Sequence, residues 1–152
     1  MTPNYTQVCE VKLTYTNKVK SSERYAIKES SDVYRFLVEY VYSPETLLLR
    51  ESFKLLLLSS ANKVLGYCSM FEGGTVSTIA DIKMIMQAAL LSNASAIIIS
   101  HNHPSGQLEP SREDINLTEK IKQACDVIAI RFLDHIIVTD EGYYSFTDEG
   151  RI

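Results

Sequence analysis

Cysteine is scarce in this chain. It occurs three times in 152 residues, at Cys9, Cys68 and Cys125. The number is odd, the spacing is wide and no C-x-x-C pair occurs. Neither a disulfide framework nor a thiolate zinc site is indicated, and a reducing cytoplasm is the simplest compartment. Long apolar runs are also missing. The densest, Leu55–Leu58 and Ala96–Ile99, are the length of buried strands and fall far short of the roughly 20 residues of a membrane span. Met1–Glu10 has no basic segment followed by an apolar one, so no secretory leader is expected. Positive charge is not in excess: Lys and Arg number 15, Asp and Glu 19, for a net charge of −4. Domains that bind phosphate backbones are usually basic, so strong nucleic-acid binding is not expected. No repeat or low-complexity tract occurs.

What is present suits one core. Hydrophobic residues make up 45% of the chain, which excludes wholesale disorder, and the length fits one domain or one domain with a short arm. Val8–Tyr15 reads as a strand, followed by a turn at Asn17–Lys18. Ser31 or Asp32 can cap a helix with Val33, Phe36, Leu37, Tyr40 and Val41 on its apolar face, stopped by Ser43–Pro44. Residues 1–28 are therefore expected to be an appendage and 29–152 the main domain. In the main domain, Phe53–Ser59 and Val64–Met70 form a hairpin about Ala61–Lys63. A helix runs from Thr78 to about Asn93, with Ile79, Ile82, Met86, Ala89 and Leu90 on one face. Ala96–Ser100 is a strand apolar on both faces, hence central. A second helix runs from Ser111 to about Cys125, and strands follow at Phe132–Val138 and Tyr143–Phe146. The expected class is α/β (α+β), a mixed central sheet sandwiched by helices.

The chemistry concentrates in one stretch. His101 and His103 stand two residues apart at the end of the central strand, where i and i+2 point to the same side. Both imidazoles can reach one metal ion. The loop Pro104–Pro110 then enters a helix that begins with Ser111 and carries Asp114, whose stripe continues inward through Leu117 and Ile121. A buried carboxylate needs a partner, and a metal would supply one. Two histidines and one carboxylate leave a fourth position open, as in catalytic rather than structural zinc sites. Zinc there would acidify a water and polarise a carbonyl, with Ser111 the nearest donor for an oxyanion. Blander readings stand beside this one. Ser111-x-x-Asp114 is also a capping pattern, His-x-His can be a surface pair, and Asn102–Gly106 can be a plain turn.

The joint spacing, His101-x-His103, seven residues, Ser111-x-x-Asp114, resembles the JAMM motif of the JAB/MPN metalloproteases. The run His101-Asn102-His103-Pro104-Ser105-Gly106 is similar to the RadC branch, as are Leu133–Val138 and Gly142–Phe146. The resemblance covers about Ser31 to Ile152 and lacks the helix-hairpin-helix region of full-length RadC proteins. It implies a cytidine-deaminase-like JAB/MPN fold and zinc-dependent hydrolysis of an amide or isopeptide bond in a peptide or protein substrate. It also implies His101, His103 and Asp114 as ligands of Zn2+ and Ser111 as the residue steadying the tetrahedral intermediate. The family's glutamate base precedes an upstream strand. Glu51, just before Phe53–Ser59, fits that place; Glu45 and Glu72 do not open a strand. Without the family, Glu51 reads as a solvated strand end.

His135 lies in an otherwise apolar strand beside Asp134, so one of the two points inward. His135 is either a satisfied core histidine or a residue holding a ligand or substrate by a hydrogen bond. Cys68 and Cys125 read as small buried residues. Two other functions compete with the peptidase. One is a silent binding module in DNA repair or mobile-element biology, which the complete motif disfavours. The other is a metal-dependent nuclease, suggested only by the letters His-Asn-His. The pattern specifies neither substrate sequence nor oligomeric state, and no membrane partner is indicated.

Overall fold

A computed structural model describes Lys12 and residues 18–73 and 80–152. The strand expected at Val8–Tyr15 lies outside the described residues apart from Lys12, as do Cys9 and residues 78–79 of the first long helix. Helix α1 (Ser30–Phe36) is capped by Glu29, not by Ser31 or Asp32. Asp32 sits three residues inside, and its carboxylate folds back to accept the Lys28 and Glu29 N–H groups at 2.9 and 3.3 Å. A carboxylate satisfies these orphan donors as well from the third helical position as from the cap. The helix then widens into a π-type turn over Leu37–Val41. The widening rotates Tyr40 out to 55% exposure, against its expected place on the buried face. Ser43–Pro44 does not merely stop a helix; Ser43 caps α2 (Pro44–Leu47) through Glu45 N–H.

The sheet has strands β1 (Ser52–Leu58), β2 (Val64–Glu72), β3 (Ala96–Asn102), β4 (Arg131–Val138) and β5 (Tyr143–Ser145), in the order β2-β1-β3-β4-β5. β1 is antiparallel to both neighbours, and β3 and β4 are parallel, joined through helix α4 (Arg112–Val127). Every residue of β3 is buried, as its unbroken apolar run requires at the centre of a covered sheet. One face packs Leu55, Leu57, Ile97 and Ile99 against Ile85 and Ala89 of α3 (Ile82–Leu91) and Ile121 and Cys125 of α4. The other packs Leu56, Leu58, Ile98, Ile136 and Val138 against Val33 and Leu37. The result is the expected three-layer α+β sandwich.

Several details differ from the sequence reading. α3 begins at Ile82 after an Asp81 cap, buries Ile85 and Ala89, and leaves Leu90 at 57% exposure rather than on the core face. Cys125 is buried, but Cys68 is only half-buried on edge strand β2. Among residues 1–28, Ala26 bridges to Lys63 and Ile27 joins the core. Asp134 and His135 are both buried, not one of the two. The β3–β4 register steps from Ile97–Phe132 to Ile98–Asp134, skipping Leu133. Asp134 then sits on the face opposite His135, where Ser145 O–H, Thr147 N–H and His135 N–H donate to its carboxylate at 2.5, 3.0 and 2.7 Å.

Candidate metal centre

β3 ends with His101 and Asn102, and His103 follows directly, its N–H still bonded to Val138 C=O at 3.0 Å. Because side chains alternate along an extended chain, His101 and His103 share a face and Asn102 takes the other. Gly106, at φ 82°, turns the following loop in a conformation that favours glycine. The turn returns the Gln107 carbonyl to within 2.7 Å of His103 Nδ1. The loop then enters α4 through a reciprocal capping box. Asp114 N–H donates to Ser111 Oγ at 3.1 Å, and Ser111 N–H donates to Asp114 Oδ2 at 2.8 Å. The capping reading of Ser111 and Asp114 is therefore correct, and it is compatible with a second role. The carboxylate that caps the helix also faces both imidazoles. His101 Nε2 lies 3.2 Å from Asp114 Oδ1, and His103 Nε2 lies 3.5 Å from Oδ2.

One assignment of protons leaves the metal-facing atoms free. Thr118 has one hydroxyl proton and gives it to Asp114 C=O at 2.7 Å. Its oxygen can therefore only accept from His135 Nδ1, at 2.6 Å. Burial, reinforced by the charge of His101, holds His135 well below the usual imidazole range, so His135 is neutral. Its Nε2 then accepts from His101 Nδ1–H at 2.8 Å. His103 Nδ1 must likewise carry a proton, because its partner is a carbonyl. In neutral rings so assigned, both Nε2 atoms carry lone pairs, 2.9 Å apart, beside the Asp114 oxygens.

Ligand atoms of His101, His103 and Asp114 lie within 4.8 Å of one another. Such acceptors, facing each other in a half-buried site, call for positive charge between them, carried by a proton on an imidazole or by a metal ion. Without a metal, imidazole protons fill that place, and the Asp114 carboxyl registers them. Burial alone would raise its pKa, yet the hydrogen bonds from His101 and His103 hold it far below the carboxylate range. Burial likewise opposes protonation of His103, but Asp114, the Gln107 carbonyl and the charge of Glu51 outweigh it and raise its pKa. Two imidazole nitrogens and one carboxylate could hold a metal ion, and they match the donor set of open zinc sites.

Glu51 reaches this face through sheet register. β1 pairs with β3 as Phe53–His101, and the same register carried two residues further sets Glu51 opposite His103. Odd-numbered residues of β1 face α3 and α4, as do the histidines. The rival glutamates are elsewhere. Glu72 pairs across from Ser52 and is occupied by Arg50 and Lys54 at 3.3 and 3.6 Å. Glu45 is exposed on α2.

A match to the family model described as the RadC-like JAB domain spans residues 27–151. The chain belongs to the RadC-like JAB family. It is 42% identical over 103 residues to a "UPF0758 protein" of Flavobacterium johnsoniae, a match covering 68% of this chain and 45% of the relative. It is 39% identical over 128 residues to a "UPF0758 protein" of Porphyromonas gingivalis, covering 84% and 55%. It is 35% identical over 126 residues to a "UPF0758 protein" of Thermotoga maritima, covering 83% and 54%. The chain thus spans about half the length of the relatives it matches. The mixed five-stranded sheet is the JAB arrangement that the sequence led us to expect.

Three residues that contribute to this JAB site escaped the sequence reading: Thr118, Gln107 and Asn102. Thr118 stands four residues after Asp114 on α4 and could have been found as the next turn of that face. Gln107 contributes only a backbone carbonyl, which no side-chain pattern reveals. Asn102 Oδ1 accepts Ser52 N–H and O–H at 2.8 and 3.2 Å, and its Nδ2 donates to Leu47 and Arg50 C=O at 2.6 and 2.9 Å. The amide grips the backbone on both sides of Glu51. The signal for it was a polar side chain on the fully buried face of a central strand. Among the described residues no helix is long and apolar enough to cross a membrane.

Proposed function

We propose that this chain is a zinc-dependent hydrolase of amide bonds, acting on a peptide or protein, with His101 Nε2, His103 Nε2 and the Asp114 carboxylate holding the metal. The observation that carries the reading is the pair of Nε2 atoms turned toward one carboxylate, with each ring's Nδ1 held by a partner of its own. Zinc in such a site supplies Lewis-acid polarisation of a carbonyl and lowers the pKa of a water molecule.

The protein's own residues supply the rest. Glu51, opposite His103 in register and unpaired with Arg or Lys among the described residues, accepts the proton of the attacking water and delivers it to the departing amine. Ser111 accepts Asp114 N–H at 3.1 Å, and its own O–H has no acceptor among the described residues. That proton is available for the oxygen of a tetrahedral intermediate. With zinc bound, His135 and Thr118 would hold the His101 proton on Nδ1, as Gln107 would for His103, so that both Nε2 atoms serve as ligands.

Elemental analysis of the purified protein tests the metal assignment. About one zinc per chain is expected, with zinc lost or greatly weakened in His103→Ala together with cleavage of a peptide library. Wild-type zinc retention in that variant overturns the ligand set. Full zinc occupancy without cleavage of any peptide overturns the hydrolase and leaves a metal-binding module.

A further inference from the structure

A second polar hollow opens at the opposite end of the sheet. β1 finishes and β3 starts there, so a strand length separates it from the metal ligands, roughly 20 Å at 3.3 Å per residue. Arg24, Ser59, Ser60, Leu65, Asn93 and Ser95 line a volume of about 200 Å3. No carboxylate is among them. Arg24 is half-buried, and its Nε is withdrawn from solvent with no hydrogen-bond partner. Among the described residues, no oxygen accepts a hydrogen bond from any part of its guanidinium.

The other lining groups have fixed backbones and uncommitted side chains. Ser59 Oγ accepts Lys63 N–H at 3.2 Å, which leaves its hydroxyl proton free. Ser60 is held through its carbonyl by Arg131 Nη2 at 3.1 Å. Ser95 is held by backbone bonds to Leu58 and Arg131, and Asn93 by its N–H to Leu90 C=O. The Ser60 and Ser95 hydroxyls and the Asn93 amide have no partner among the described residues. Nearby cations have partners of their own: Arg131 also donates to Asn62 Oδ1 at 2.8 Å, and Lys63 Nζ to Ser21 C=O at 2.9 Å. They add positive potential without competing for a ligand.

A guanidinium, three hydroxyls and an amide, with no carboxylate among them, favour an anion. A carboxylate offers two oxygens, fewer than an arginine fork, three hydroxyls and an amide can saturate. A phosphate group offers more acceptor sites and matches the guanidinium in bidentate fashion. We propose that this hollow binds a phosphate group, through Arg24 and the hydroxyls of Ser59, Ser60 and Ser95, independently of the metal centre.

The test follows the amides of Ser59, Ser60, Asn93 and Ser95, and the Nε–H of Arg24, in 15N–1H spectra of the full chain. Inorganic phosphate replaces chloride at constant ionic strength. Saturable shifts are expected at these five residues. Arg24→Gln should weaken them about tenfold or more, the loss expected for a charge-assisted contact, and Ser95→Ala should weaken them less. His103→Ala, at the other end of the sheet, should leave them unchanged. An identical spectrum of Arg24→Gln outside the hollow shows that the variant folds. Shifts confined to the neighbourhood of His103, no shifts at all, or equal affinity in wild type and both hollow variants would overturn the proposal.

Discussion

The two faces of β3 treat their polar residues in opposite ways. Asn102 matches every donor and acceptor it has to backbone or hydroxyl groups of residues 47–52. His101 and His103, one residue to either side, each satisfy only one ring nitrogen and turn the other toward Asp114. A saturated buried network rigidifies a fold. Ring nitrogens left facing one carboxylate form a group that could hold a metal ion instead. Substitutions on the unsaturated face should therefore remove function and spare stability, and those on the saturated face should affect both.

The largest effect expected from a residue that holds no metal is at Glu51. Glu51→Gln removes the proposed base but neither a proposed zinc ligand nor a core contact. Turnover should fall about 10²–10⁴-fold, with zinc content and melting temperature unchanged. Loss of zinc in parallel with activity would make Glu51 a ligand instead and break the assignment of roles.

Ser111 belongs to both modes, since it caps α4 as an acceptor and keeps its proton free. Ser111→Ala should lower kcat about 10²–10³-fold and stability by about 0.5–2 kcal/mol. Denaturant titration beside steady-state kinetics separates the two. A stability loss with wild-type kcat would leave capping as its whole role.

How far these roles were legible in the sequence depends on the distance over which each is encoded. His101, His103, Ser111 and Asp114 fall within one strand–loop–helix segment, so their periodicities place them together. The central position of β3 follows from its apolar run alone. Glu51 took its role from a family likeness, because sheet register with a distant strand is what brings it opposite His103. The burial of both Asp134 and His135 depends on the step at Leu133, which strict alternation does not anticipate. The exposure of Tyr40 comes from a single widened turn, and that of Leu90 from how α3 rotates on its neighbours. Neither is written in local spacing.

A smaller effect is expected at His135, and it is on metal affinity rather than turnover. His135→Phe retains an aromatic ring to stack on Phe146, where the wild-type rings are 4.6 Å apart and nearly parallel. The new ring cannot accept the His101 Nδ1 proton, so the bare state of Nε2 is no longer enforced. Zinc affinity, measured by competition with a chelator, should fall about 10–100-fold. Unchanged affinity would mean that His135 is simply a packed core histidine.

The smallest expected effect on turnover is at Asn102, where the saturated face is linked to the unsaturated one. Asn102→Ala leaves Ser52 N–H and the Leu47 and Arg50 carbonyls without partners, at a cost of about 1–3 kcal/mol for a buried group left unpaired. Zinc affinity should not change, because no ligand is touched. kcat should fall about tenfold, since the backbone on both sides of Glu51 loses its grip and the carboxylate drifts from its productive position. A stability loss alone could produce a similar fall, so the decisive comparison is made in the Glu51→Gln background. If Asn102 acts by positioning Glu51, adding Asn102→Ala there should lower stability as before but leave the residual kcat unchanged, a non-additivity diagnostic of groups that act as a unit. A full additional tenfold loss in the double variant would show that Asn102 supports the site by some route other than Glu51.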